Sequence, residues 1–193
     1  MARHLPLRGV RAADVRPRRG GVGRGSSAAA ERVSDDLRLG AGDFLEQRRR
    51  LAVLTTVAIG AFAVVGLYQF GVVRRLPEIP GVAFDADRVD ASGEAYDLGK
   101  TPDAALGLAG AAVTLILTGT GDRDRWRERP WIPLLLGGKV LADAAGAAVL
   151  FAEQITKHRR VCSWCTLAAV ANAAAVPAAW PEARAAWRAM RAR

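Results

Sequence analysis

Cys162 and Cys165 are the only two cysteines in 193 residues, and they stand three apart in Val161-Cys162-Ser163-Trp164-Cys165. On a helix that spacing puts both sulfurs on one face, where they can close a disulfide or share a metal. One pair is too sparse to staple a small secreted domain, so the spacing points to chemistry rather than scaffolding. Three readings stay open for it: a redox pair, an inert reduced pair in a helix, and two ligands of a metal. The metal reading is short of donors, because His158 brings only a third ligand and His4 lies far away in the N-terminal tail. No metal is expected. If Cys162 starts the helix, free backbone N–H groups and the positive end of the dipole face its sulfur. The same face continues to Asn172, seven residues past Cys165, with Ala169 between them. Two sulfurs, a small side chain and an amide on one stripe outline a slot for a flat ring. For Asn172 by itself, a helix–helix hydrogen bond in lipid is an equal reading.

The elements that position this stripe are apolar blocks set between charged connectors. Hydrophobic residues make up 51% and charged residues 24%, with a net charge of +9 and a mean hydropathy of only +0.09. About 20 residues at 1.5 Å rise cross the ~30 Å hydrocarbon core. Four segments fit that measure, at about 51–73, 102–120, 130–151 and 161–180. The expected fold is therefore all-α, an integral membrane four-helix bundle over 48–182. It follows a disordered basic N-terminal tail, 1–47, and precedes a basic amphipathic tail, 183–193. Within the first tail, Ser34 to Arg50 reads as a short amphipathic helix capped by Ser34 and lying on the membrane surface.

Thr101-Pro102-Asp103 starts the second span: Thr101 caps, Pro102 fits the first turn and Asp103 faces the dipole. Gly107 and Gly110 on that span permit close helix contact. Lys139 and Asp143 in the third span are four apart and can pair inside the membrane. The basic N-terminal flank, the 121–130 loop and the C-terminal tail all belong inside, leaving 74–101 and 153–160 outside despite the Lys-His-Arg-Arg run. Cys162 then stands near the external face, exposed to a partner, where disulfide chemistry is permitted. Aromatic residues are only 6%, which leaves few stacking platforms for bases, so no nucleic acid partner is expected. The basic tails read as topology determinants and contacts for anionic lipids.

With these residues in place, about 50–180 resembles the vitamin K epoxide reductase family, four-helix membrane proteins that couple quinone reduction to thiol oxidation. Cys162, Cys165 and Asn172 match the CxxC and the Asn of the family's fourth helix. Asp103 stands in the place of a quinone-contacting Asn, with Gly107 as the Gly four residues on, and Ala169 replaces a Tyr. The run Ala86-Asp87-Arg88-Val89-Asp90-Ala91-Ser92 matches the family's outer loop with Ala86 in a cysteine's place; Ser92 reads as a loop cap. The relay of loop cysteines is missing. The resemblance implies a quinone-dependent thiol–disulfide oxidoreductase of a bacterial inner membrane, multi-pass with both termini cytoplasmic. Its acceptor would be a menaquinone-type quinone and its partner an external thioredoxin-like thiol protein. Cys162 would face that partner, and Cys165, one turn deeper, the quinone. Asn172, and Asp103 if protonated, would hold a ring carbonyl. The rival reading is a non-catalytic membrane protein of the same fold that binds quinone or lipid, or serves as an assembly partner.

Overall fold

The computed structural model describes residues 26–81 and 83–193. Its helices are α1 (Ala28–Leu39), α2 (Leu45–Gln69), α3 (Ala86–Asp90), α4 (Asp103–Gly119), α5 (Arg125–Glu128), α6 (Trp131–Glu153) and α7 (Ser163–Arg191). The chain folds as an all-helical membrane bundle. Its ring runs α2, α4, α6, α7 and back to α2, and α4 and α6 meet over the shortest stretch. The interior of the ring is built from small side chains: Ala58, Ala61, Ala104, Ala111, Ala168, Ala171 and Ala175 are all buried. In lipid no water is gained by clustering apolar groups, so small residues that admit close backbone approach are what hold helices together. At the α6–α7 crossing, a Cβ on Gly137 would lie 2.9 Å from Ala183 Cβ. Leu51, Leu136 and Val140 join the small residues inside, while many other large apolar side chains point outward, with Val53 64%, Ile116 67% and Val149 61% exposed. Such a surface is a liability in water and a match for hydrocarbon.

Among the described residues, α2 and the run Trp131–His158 are long and apolar enough to cross a membrane, and α4 is a shorter apolar helix. Of the four expected spans, α4 comes up short at 17 residues, ~25 Å at 1.5 Å per residue. α7 does not stop near Trp180. It runs through Pro177 and Pro181 to Arg191, so the residues expected as a separate basic tail are its last turns. The expected amphipathic helix starts earlier than Ser34: Ser27 caps α1, its side chain accepting from Ala30 N, and Gly40 ends it. Residues 1–25 of the expected disordered tail lie outside the described residues.

The two ends of the bundle are tied differently. At one end, arginines absorb the carbonyls that helix ends leave without partners. Arg48 donates to Thr118, Gly121 and Asp122 at 3.0 Å each, closing the end of α4. Arg49 does the same for α1 through Leu37 and Asp36. Arg125, fully buried, grips Glu182 of α7 with two 2.7 Å bonds and donates to Leu117 at 2.7 Å. At the other end, the connector after α2 folds over the start of α7. Phe84 and Val161 bridge in parallel, with Val161 N donating to Ala83 O at 2.9 Å and Asp85 N to Val161 O at 3.1 Å. Segment 74–101 and the turn before Cys162 therefore share one end, and the 121–130 loop stands at the other.

Candidate functional site

Cys162 is the N-cap of α7, and its sulfur accepts from Cys165 N at 3.2 Å. Its own N–H is taken by Gln154 Oε1 at 3.0 Å. Gln154 can reach because α6 ends in a π-helical turn, Gln154–His158, which Arg159 closes at φ 52°. Two further contacts lay the connector over this cap. Trp164 Nε1 donates to Pro77 O at 2.6 Å, and Ser163 N points at the Glu78 carboxylate at 3.3 Å. A carboxylate at the positive end of a helix is favourably placed. Under this strap Cys162 is 0% exposed, in an apolar cluster with Val65, Leu76, Ala86, Val89 and Ala104. The exposure expected for Cys162 from the sequence is absent, because backbone pairing of 83–85 with Val161 closes the surface above it. Ala86, in the place of the missing loop cysteine, is buried in that same cluster.

Cys165, one turn on, is half-buried and lines a cavity of about 570 Å³. The cavity is lined from α2, α4, α6, α7 and the connector after α2. Asn172, Ala169, Asp103, Gly107 and Ser92 line it too, whereas Cys162 and Lys139 do not; Cys162 sits behind Cys165. Phe62, Ala111 and Leu150 give it an apolar face, while Glu94, Asp97, Glu153, Lys157 and His158 make the rest of the wall charged. That size, with an apolar face beside polar groups, suits a small flat ligand. Gly107 is required by the wall: a Cβ there would come within 2.6 Å of the Phe62 ring. Asp103 Oδ1 accepts from Gln69 Nε2 at 2.7 Å, and Gln69 Oε1 in turn accepts from Ala104 N at 3.2 Å. Gln69 thus supplies the side-chain cap of α4. Thr101, the expected cap, donates to Gly99 O instead, and Pro102 is the cap residue. Ser92 Oγ donates to Val89 O at 2.8 Å, holding the turn after α3. Lys139 and Asp143 form the expected ion pair; Asp143 also accepts from Thr114 at 2.9 Å and borders the cavity.

A model of the vitamin K epoxide reductase family matches residues 49–180. The chain belongs to that family. No curated protein and no solved structure matches it. Members of the family are membrane-integral thiol–disulfide oxidoreductases that work with quinones and thioredoxin-like proteins. The match covers α2 to the middle of α7, which is the part that carries the cysteines, the cavity and the strap.

One residue of the site escapes sequence reading. Asp90, the last residue of α3, is 1% exposed, and its Oδ1 accepts from Cys165 Sγ at 3.2 Å. Its Oδ2 is buried without a hydrogen-bond partner among the described residues. An unmatched buried acceptor costs about 1–3 kcal/mol, a strain that functional sites commonly hold. Burial pushes the Asp90 carboxyl up to about 6; the thiols of Cys162 and Cys165 pull it back, and Asp103 and Glu78 add to the rise. A carboxylate oxygen of Asp90 and the two sulfurs all lie within 4.8 Å of one another. Among the described residues this group gains no fourth donor, which a closed tetrahedral zinc site needs. His158, the third donor a metal reading would have drawn on, is not part of it. The available signal was an acid placed directly after Val89 in the run that resembles the family's outer loop.

Proposed function

We propose that this protein oxidises an external thiol protein and delivers the electrons to membrane quinone through Cys162 and Cys165. The observation that carries the reading is the shared cavity of about 570 Å³, which Cys165, Asn172 and Asp103 line together with an apolar face that includes Phe62 and Leu150. Menaquinone-type quinone, as acceptor, supplies a two-electron sink. Asn172, which lines the cavity, donates an amide N–H to a ring oxygen in this reading and so stabilises developing charge. Cys162 and Cys165 close a disulfide as they give up two electrons, and the partner's dithiol reduces it again. Disulfide potentials generally lie below quinone potentials, so net flow runs from thiol to quinone. The strap and the start of α7 share one end of the bundle. With the arginine-rich 121–130 loop at the other end, that end is the external face of a bacterial inner membrane and both termini are cytoplasmic. The partner is thioredoxin-like, and the basic tails hold anionic lipid. The test is the thiol state of both cysteines in isolated membranes with and without added menaquinone. Quinone should drive them to the disulfide, and Cys162→Ser or Cys165→Ser should abolish the cycle. Full thiol oxidation in either variant removes the redox reading.

A second reading has its own observation. Cys162 lies wholly under the strap and Ala86 replaces the loop cysteine, so a partner has no exposed thiol to attack in this arrangement. A non-catalytic member that binds quinone or lipid would look the same. Quinone-independent thiol states in membranes would favour it.

A further inference from the structure

We propose that Asp90 is the proton acceptor of the cysteine pair, carrying the thiol protons from Cys165 and then Cys162 into the cavity as the disulfide forms. The inference rests on the redox reading above and assigns a catalytic residue to it. Asp90 touches the reacting sulfur: Cys165 Sγ donates to Oδ1 at 3.2 Å. The second oxygen, Oδ2, is buried and has no hydrogen-bond partner among the described residues, so one lone-pair set is open to a proton. Cys162 Sγ lies within 4.8 Å of the same group, close enough to discharge second. Asp90 also lines the cavity, so a proton taken from sulfur is already at its wall.

The balance closes. Two thiols lose two protons and two electrons, and one S–S bond forms between Cys162 and Cys165. The electrons go to quinone, the named oxidant. Each proton passes in turn to the Asp90 carboxylate, which releases it to the ring oxygens, so that quinol and disulfide are the products. Asp90 suits the task because its burial holds the carboxyl near the working pH, where it can both accept and release. The groups facing it are Tyr68 of α2, Asp103 of α4, Glu78 of the strap and the two thiols of α7, with Lys157 and His158 on the same cavity wall. None of these is a second base hydrogen-bonded to Cys165 among the described residues.

Acid and thiol in contact titrate as a pair. Once one proton has left, the pair includes a form with the sulfur ionised and the carboxyl protonated. Its population follows the first loss of a proton and then stays level. The test uses the full-length protein in membranes, reduced, and measures the rate of Cys165 alkylation by iodoacetamide from pH 5 to 8. The wild type should rise to a plateau beginning near pH 6. Asp90→Asn should climb tenfold per pH unit with no plateau, and Asp90→Glu should keep one. In parallel, menaquinone-driven disulfide formation should slow at least tenfold in Asp90→Asn at pH 7, while an unchanged far-ultraviolet circular dichroism spectrum and unchanged protease resistance report an intact fold. An unchanged alkylation profile in Asp90→Asn, or an unchanged quinone-driven rate, overturns the proposal. If quinone oxidises neither protein yet the plateau is lost in Asp90→Asn, the proton link stands and the quinone reading falls.

Discussion

The indole of Trp164 donates to the carbonyl of Pro77 across 2.6 Å, pinning the connector to the helix that bears both cysteines. The bond joins positions 87 residues apart, and Cys162 is sealed behind it. Accessibility of this thiol is thus a property of the connector, not of α7.

The first prediction follows. Trp164→Phe keeps the apolar ring and removes the donor, leaving the Pro77 carbonyl to water and loosening the strap. Access limits thiol exchange as strongly as ionisation does. A bulky impermeant maleimide should label Cys162 slowly in the wild type and several-fold faster in Trp164→Phe, as read by mass spectrometry of the reduced protein. Equal resistance in both would mean that no partner reaches Cys162, and the non-catalytic reading would take over.

The opposite end of the bundle supplies the second. Arg125 and Glu182 are 0% and 4% exposed along their side chains and joined by two bonds. Removing one partner strands a buried charge, at a cost of about 3–5 kcal/mol. Glu182→Ala should lower Tm markedly, whereas Glu182→Gln, which keeps an acceptor, should cost less. Replacing both Arg125 and Glu182 with Met should recover much of the loss. A Tm of Glu182→Ala equal to wild type would show the pair to be dispensable.

The same arginine explains what sequence can and cannot carry. Blocks of about 20 apolar residues fix helix number and order, because hydrocarbon tolerates few alternatives to a helix. They do not fix helix ends: Pro177 and Pro181 look like a stop, yet α7 continues past both. Counting Arg48 and Arg125 as topology signals treats them as surface charges, while both are buried and cap α4. The stripe Cys165, Ala169 and Asn172 was legible because its geometry is internal to one helix. Asp90 was not, because its meaning depends on a connector folding back across some 75 residues onto Cys165.

Asp90 gives a third prediction, on stability against pH. Its folded value of about 6 lies above the ordinary 3.8, so the fold favours the protonated form. The contribution of Asp90 to stability is therefore fully present below pH 3.8 and is lost as pH rises through about 6. A rise of roughly two units corresponds to at most about 3 kcal/mol. Asp90→Asn cannot ionise, so its Tm relative to wild type should increase between pH 4 and pH 7. A difference that stays flat over that range would show that the carboxyl is not strained by burial.

Gly107 provides the last. A Cβ at this position would lie 2.6 Å from Phe62 Cε1 and 2.8 Å from two further ring carbons, well inside contact distance. The ring forms part of the cavity wall, so it must turn, and the space it turns into belongs to the ligand. Overpacking of this kind costs about 1–3 kcal/mol where the neighbour cannot give way. In Gly107→Ala the quinone concentration needed for half-maximal disulfide formation should rise about tenfold. Oxidation of Cys162 and Cys165 by diamide should be unchanged, since neither sulfur touches the shifted ring. Phe62→Leu shortens the ring side chain, and in combination with Gly107→Ala it should restore most of the quinone response. Wild-type quinone dependence in Gly107→Ala would mean that the cavity beside α4 is not where the acceptor sits.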